Sequence, residues 1–278
     1  MTDDRAKEEI AAEIERLQRL QGEIRRLSSA KFVELEALAE LFTWLDEQRS
    51  LRGTGCVIGR SQTGKTVACR VYALRNRPRT AKGDAIAVLH LRLPPACSAR
   101  TLYGHLLERL DGPIPPSADL AALRQVTLDA LGDRGVRLLL ADNATAQSLR
   151  LLQELRYLAE VGNLAVTLIG TPKLTSLLAK DGELASLFQP RHWLAPLQGE
   201  AFVQAVDRWE TEVLKLPEPS DLSRREVLPT LMEASDGRIG HLDRILRRAA
   251  IRALRQGLRT LDQATLETVV QDYRSGRD

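Results

Sequence analysis

Aromatic side chains are nearly missing from this chain: Phe, Trp and Tyr make up 4% of its 278 residues. A core has to be filled by Leu, Ala, Val and Ile, and the 44% of apolar residues is enough for a large core in one or two domains. Cysteine is scarce too. Cys56, Cys69 and Cys97 are scattered without metal-ligand spacing, which predicts reduced thiols in a cytoplasmic protein. No uninterrupted apolar run is long enough to span a membrane. The charged start Met1-Thr2-Asp3-Asp4-Arg5 lacks the apolar segment of a signal peptide, so no membrane association is expected. A dominant charge sign is absent as well, and a net charge of +3 gives no argument for nucleic acid by itself. There are no tandem repeats or low-complexity tracts.

One motif stands out against these absences. Gly59-Arg60-Ser61-Gln62-Thr63-Gly64-Lys65-Thr66 reads G-x-x-x-x-G-K-T, a phosphate-binding loop. Its context fits, because 54–58 reads as a short buried strand and 67–74 as a helix. Polyphosphate needs a concave set of backbone N–H donors, and Gly59 and Gly64 let the main chain wrap closely round it. The following helix points its positive end at the phosphates. Lys65 is expected on the β- and γ-phosphates of the nucleotide, and the Thr66 hydroxyl on Mg²⁺.

Two helices precede this element. Ile10, Ile14, Leu17, Leu20, Ile24 and Leu27 recur at helical spacing over 7–27, which suits a coiled-coil or partner-binding arm and equally a helix packed on its own domain. A second amphipathic helix is expected over 32–48. After the loop, 75–82 is a basic connection, either simply solvated or facing nucleic acid. A core strand over 85–91, a helix capped by Ser98, a loop over 111–116 and a helix over 118–131 follow. The hydrophobic strand 136–142 ends in Asp142, which suits a carboxylate of the Mg²⁺ shell. The strand 164–169 ends in Gly170-Thr171, where the polar Thr171 can sense the γ-phosphate or the attacking water. Strands alternating with helices imply an α/β fold with a doubly wound parallel sheet. From about residue 199 only helices are expected: 199–214, 221–235, 238–257 and one capped by Asp262. The third carries Arg244, Arg248, Arg252 and Arg255 along one face, for solvent, phosphate or an acidic partner. The boundaries read as a helical arm over 1–30, the α/β domain over 31–198 and a helical lid over 199–278.

These motifs in this order resemble the AAA+ ATPases, and within them the TniB/TnsC transposition regulators, with the likeness pointing to the TnsC group of CRISPR-associated transposons. The residues that carry it are 42–46, 59–69, 168–171, 209–217, 237–243 and 249–252, and the resemblance extends over about 30–273. It implies a three-layer fold with a C-terminal lid, ATP bound at subunit interfaces, and homo-oligomeric rings or filaments on double-stranded DNA. The partners it implies are a TniQ-type adaptor and a TnsB-type transposase.

The chain departs from that pattern selectively. The Asp-Glu pair of the family is Asp142-Asn143 here, and an amide cannot take a proton from water. Leu187 and Gln189 occupy the places expected for an arginine finger, with Arg191 as the candidate substitute. His241 stands where the lid would carry a sensor arginine, with Arg238 as partial replacement in nucleotide binding. In the segment 93–100, where relatives carry DNA-contacting lysines, only Arg100 is basic. The expectation is a nucleotide-binding AAA+ protein with weak or absent hydrolysis. Two alternatives are an active ATPase whose base is relocated, to Glu154 or a neighbouring subunit, and a self-assembling scaffold that no longer binds DNA.

Overall fold

Five strands, β1 (Thr54–Ile58), β2 (Val88–Arg92), β3 (Leu138–Asp142), β4 (Ala165–Gly170) and β5 (Arg191–Trp193), pair in parallel in the order β2-β3-β4-β1-β5. The computed structural model describes residues 2–77, 85–114, 118–223 and 226–276. They fall into two units, Glu34–Ala195 and Met1–Val33 with Pro196–Asp278. Parts of three expected segments, the basic connection 75–82, the loop 111–116 and the helix 221–235, lie outside the described residues.

In the sheet-containing unit, β3 and β4 are buried at every position, as parallel strands covered on both faces must be. Side chains alternate between the faces. Cys56, Ile58, Leu89, Leu91, Leu139, Ala141, Val166 and Leu168 join one core. Most of its other members come from the helices α4 (Ala99–Arg109), α5 (Leu120–Asp133), α6 (Leu149–Gly162), α7 (Lys173–Leu178) and α8 (Gly182–Leu187), and the rest from the segments that flank them. His90, Leu140, Asp142, Thr167 and Ile169 alternate with these and face the opposite way. On that side α3 (Lys65–Arg75) meets β2 and α2 (Glu36–Leu51) meets β4.

The caps explain where several helices begin. Ser98 accepts from the Thr101 amide, Asp119 from Ala122, Ser148 from Leu151 and Asp262 from Thr265. The three cysteines are free and buried. Burial pushes the Cys56 thiol up to about 12, the nearby Arg191 only partly opposing it.

Among the described residues, the α3 side carries an unsatisfied hydroxyl. The Thr167 hydroxyl is fully buried and has no hydrogen-bond partner among the described residues. An unpaired buried hydroxyl costs about 1–3 kcal/mol. Thr167→Val keeps the shape and removes that cost, so urea denaturation should show a variant about 1 kcal/mol more stable. A loss of stability would mean that the hydroxyl has a partner in solution.

The helical unit holds α1 (Thr2–Ser28), α9 (Gly199–Arg208), a π-helical turn (Trp209–Leu214), α10 (Val227–Ser235), α11 (Ile239–Arg255) and α12 (Gln263–Arg274). The single helix expected over 199–214 thus changes winding for its last six residues. Carbonyls at the end of that turn are capped by basic side chains from the N-terminal segment. Arg26 donates to Val213 O and Leu214 O, and Lys31 to Glu212 O. In return Arg247 of α11 donates to Leu27 O at 2.6 Å and Ser29 O at 2.8 Å, which ends α1. Asp243 accepts from both Arg247 Nε and Trp209 Nε1. The C-terminal turn of α1 is therefore packed into its own unit, with Leu27 buried, whereas Ile14 and Leu17 are half exposed. On α11, Leu242, Ile245, Leu246 and Ala249 are buried. Of its arginine stripe, Arg244 and Arg255 are exposed and Arg252 lies 3.2 Å from Asp272. Among the described residues, no helix is long and apolar enough to cross a membrane.

Candidate functional site

The chain leaves β1 at Ile58, turns through 59–64 and enters α3 at Lys65. Gly64 takes φ 90° at the helix start, a region open to glycine. Gly59 passes so close to the Leu194 carbonyl that a Cβ would stand 2.4 Å from it. Thr63 Oγ1 donates to Arg60 O and tightens the turn. Lys65 folds its ammonium onto the loop, donating to Gly59 O at 2.7 Å and Arg60 O at 2.6 Å. Burial draws its pKa below the usual lysine value, and the charge of Asp142 opposes that shift.

The loop and the carboxyl ends of β2, β3 and β4 enclose a cavity of about 290 Å³. Of the residues singled out from the sequence, Ser61, Gln62, Gly64, Lys65, Thr66, Asp142, Asn143 and Thr171 line it. Gly59, Arg60 and Thr63 form the loop behind them. Arg92 and Thr145 also line the cavity and carry no motif of their own. Thr145 Oγ1 accepts from the Thr171 amide at 2.8 Å and lies 3.3 Å from Thr171 Oγ1.

Asp142 is the electrostatic centre of the far wall. Its Oδ1 accepts from the Asn143 amide at 2.7 Å. Among the described residues, its Oδ2 is buried without a hydrogen-bond partner, 3.6 Å from the equally unpartnered His90 Nε2. Burial raises the pKa of this carboxyl, but His90, Thr66 and the Asn143 amide outweigh it and hold the group below the usual aspartate value. Asp142 is therefore an anion at neutral pH. An orphaned anionic oxygen beside a threonine hydroxyl is a fitting donor pair for a hard cation such as Mg²⁺. Among the described residues, no cluster of three or more His, Cys, Asp and Glu offers an alternative metal site.

Asn143 has φ 66°, a left-handed backbone in which Asn is enriched. Its side-chain Nδ2 donates to Leu93 O at 3.0 Å, and its backbone carbonyl accepts from Gln147 Nε2 at 3.1 Å. The side chain beside Asp142 is thus a hydrogen-bonded amide with no proton affinity to offer.

Three other expectations within the same unit fall outside this cavity. Arg191 is exposed on β5, on the side of β1 away from β4, and does not line it. Glu154 lies on α6, where it accepts from Tyr103 OH at 2.7 Å and from Arg124 Nε and Nη2 at 2.9 and 2.6 Å. Burial raises its pKa, but these two partners outweigh that and hold it below the usual value. The structure corrects the notion of Glu154 as a relocated base, because its oxygens are committed to holding α4, α5 and α6 together. Arg100 donates to Ala118 O and borders a second recess of about 310 Å³, shared with Arg150. Arg238 and His241 belong to the helical unit. His241 sits edge-on to Tyr273, 5.6 Å between centroids. Burial, with Arg238 and Arg244 nearby, lowers its pKa, Asp236 opposing, so it is a neutral imidazole at pH 7.

The profile of the family described as Bacterial TniB protein matches residues 23–195. No curated protein matches the chain in sequence. Solved structures resemble it at low identity. Cdc6p from Pyrobaculum aerophilum superposes with a TM-score of 0.72 and 17% identity, over 90% of this chain and 70% of the other. The ORC2 protein of Aeropyrum pernix, solved as ADPNP–ADP complexes, gives 0.66 and 16%, over 89% and 71%. The ORC1 protein of the same organism, solved in complex with DNA, gives 0.62 and 16%, over 90% and 69%. At such identities the likeness concerns the fold, which is that of the AAA+ proteins.

Proposed function

The chain belongs to the TniB family, and from that premise we propose that it is a nucleotide-controlled regulator of DNA transposition with little or no ATPase activity. It binds ATP with Mg²⁺ through 59–66 and Asp142 and assembles as a ring or filament on double-stranded DNA. The assembly joins a TniQ-type target selector to a TnsB-type transposase. The observation that carries this reading is the pairing of an intact phosphate loop and Asp142 with Asn143, whose amide is bonded to Leu93 O in the place of a base. The loop amides and Lys65 hold the phosphates, and Thr66 and Asp142 hold the cation, which neutralises phosphate charge. Thr145 positions Thr171 at the γ-phosphate end. With no base beside Asp142, the bound triphosphate persists and assembly follows occupancy. Arg238 completes the nucleotide contacts from the helical unit, and Arg191 acts on a neighbouring subunit.

Arg100 and Arg150 on one recess support a DNA-phosphate contact. The bond from Arg100 to Ala118 O favours the second reading, a scaffold that assembles without DNA. Electron microscopy with and without ATP–Mg²⁺ and duplex DNA, with phosphate release followed in parallel, decides between them. Assembly that needs both, with little phosphate released, supports the regulator. Assembly without DNA supports the scaffold, and rapid turnover overturns the weak-hydrolysis reading. Lys65→Ala is expected to weaken ATP binding at least tenfold, through loss of one charge-assisted phosphate contact. Calorimetric titration showing unchanged affinity would remove the loop from the site.

A further inference from the structure

We propose that Arg92 is a γ-phosphate contact supplied from within the chain and that it sets the preference of this site for a nucleoside triphosphate over a diphosphate. The inference rests on the nucleotide-binding reading above.

Arg92 is the last residue of β2 and pairs in register with Asp142 on β3. Alternation along the strand puts it on the face of His90, the face that also carries Asp142. The side chain is exposed yet lines the same cavity as Lys65, Thr66 and Asn143. It makes no hydrogen bond or ion pair with any described residue, although the unpartnered Asp142 Oδ2 belongs to its neighbour in register. The two charges are left separate, a carboxylate oxygen for the cation and a guanidinium for an anion.

Among the described residues, Lys65 and Arg92 are the two cations that line the cavity, and they enter it from different sides. Lys65 follows the loop that leaves β1 and stays over that loop's carbonyls. Arg92 ends β2, which β3 and β4 separate from β1. A diphosphate is held by the loop whether or not the far side is charged. A third phosphate adds negative charge that Lys65 meets from the loop side alone, and on the other side a planar guanidinium offers it two parallel donors. A solvated surface arginine, the ordinary alternative, has no reason to discriminate between nucleotides.

The test is fluorescence titration with the methylanthraniloyl derivatives of ATP and ADP, each with Mg²⁺, on the full chain and on Arg92→Ala, Arg92→Lys and Lys65→Ala. Arg92 is exposed, so its substitutions leave the fold intact. Arg92→Ala is expected to weaken ATP binding about tenfold to a hundredfold, with ADP affinity changed less than about twofold. Arg92→Lys should recover part of the loss, because an ammonium keeps the charge but not the paired donors. Lys65→Ala should weaken both nucleotides. Equal weakening of ATP and ADP by Arg92→Ala, or no weakening, overturns the assignment, and so does full recovery in Arg92→Lys. A full chain that binds neither probe overturns the nucleotide-binding reading itself, a different failure from loss of discrimination.

Discussion

Replacing Asn143 by glutamate is expected to raise steady-state phosphate release on the order of 100-fold. General-base assistance contributes roughly 10²–10⁴, and the lower end applies here for two structural reasons. The left-handed backbone at position 143 suits Asn better than Glu, and holding another residue there costs about 1 kcal/mol. Arg191, proposed above as a substitute finger, does not line the cavity of its own chain, so on that reading a second contribution stays missing until a neighbour provides it. Measured with saturating ATP–Mg²⁺ and DNA, the increase should appear in the turnover rate, with little change in nucleotide affinity. If Asn143→Glu leaves phosphate release where it was, position 143 is not the base position. If the natural chain already turns over as fast as the variant, its base lies elsewhere.

Removing the Glu154 carboxylate has the second large effect, on stability. Glu154→Ala deletes the acceptor for Tyr103 and Arg124 at once, leaving Tyr103 fully buried. Taking one partner from a buried charge pair costs about 3–5 kcal/mol. Arg124 keeps a third of its side chain exposed and recovers some hydration, so about 3 kcal/mol is expected in urea denaturation, a large share of a domain's stability. A loss below about 1 kcal/mol would mean that the network does not hold the three helices. The pH dependence has a definite sign. The carboxyl pKa is lowered by folding from an ordinary 4.5, so its contribution is complete above that value. It disappears as pH falls through the lower folded value. The natural chain should lose stability below about pH 4.5 more steeply than Glu154→Ala. Once folded, the variant should release phosphate at the natural rate, which a catalytic Glu154 would not permit.

The contrast between these two residues shows what could be read from the sequence. Asp142 and Asn143 were legible because a contiguous hydrophobic strand ends on them. The loop at 59–66 carries its own spacing, and four strands announced themselves by buried apolar runs. Glu154 gives no such signal, because its partners are 30 and 51 residues away. Arg92, His90 and Thr145 were missed for the same reason. They join the site only when the register of β2 on β3, and the turn after β3, bring them beside Asp142. The three-residue strand β5, with its Arg-His-Trp pattern exposed or half-exposed, has neither the length nor the apolar content that marks a strand. It exists because β1 offers it an edge. The helix over 7–27 was legible as a helix, but its anchoring was not. That depends on Arg26 and Arg247 reaching carbonyls nearly two hundred residues or more away in the chain.

The strand order also has a consequence for how the chain is made. Thr54–Ile58 finds its sheet partners only in Ala165–Gly170 and Arg191–Trp193. On a ribosome adding about 5–20 residues per second, the strand that carries the phosphate loop waits on the order of ten seconds for its first partner. Through that interval an apolar segment with open backbone donors and acceptors is available to chaperones and to other nascent chains. Nucleotide cannot rescue it early, because the cavity's far wall is synthesised in the same later stretch. Local pairing is impossible for this strand, so folding has to proceed through non-local closure. Synthesis rate and chaperone supply should therefore govern the yield of this protein more than the affinity of its nucleotide.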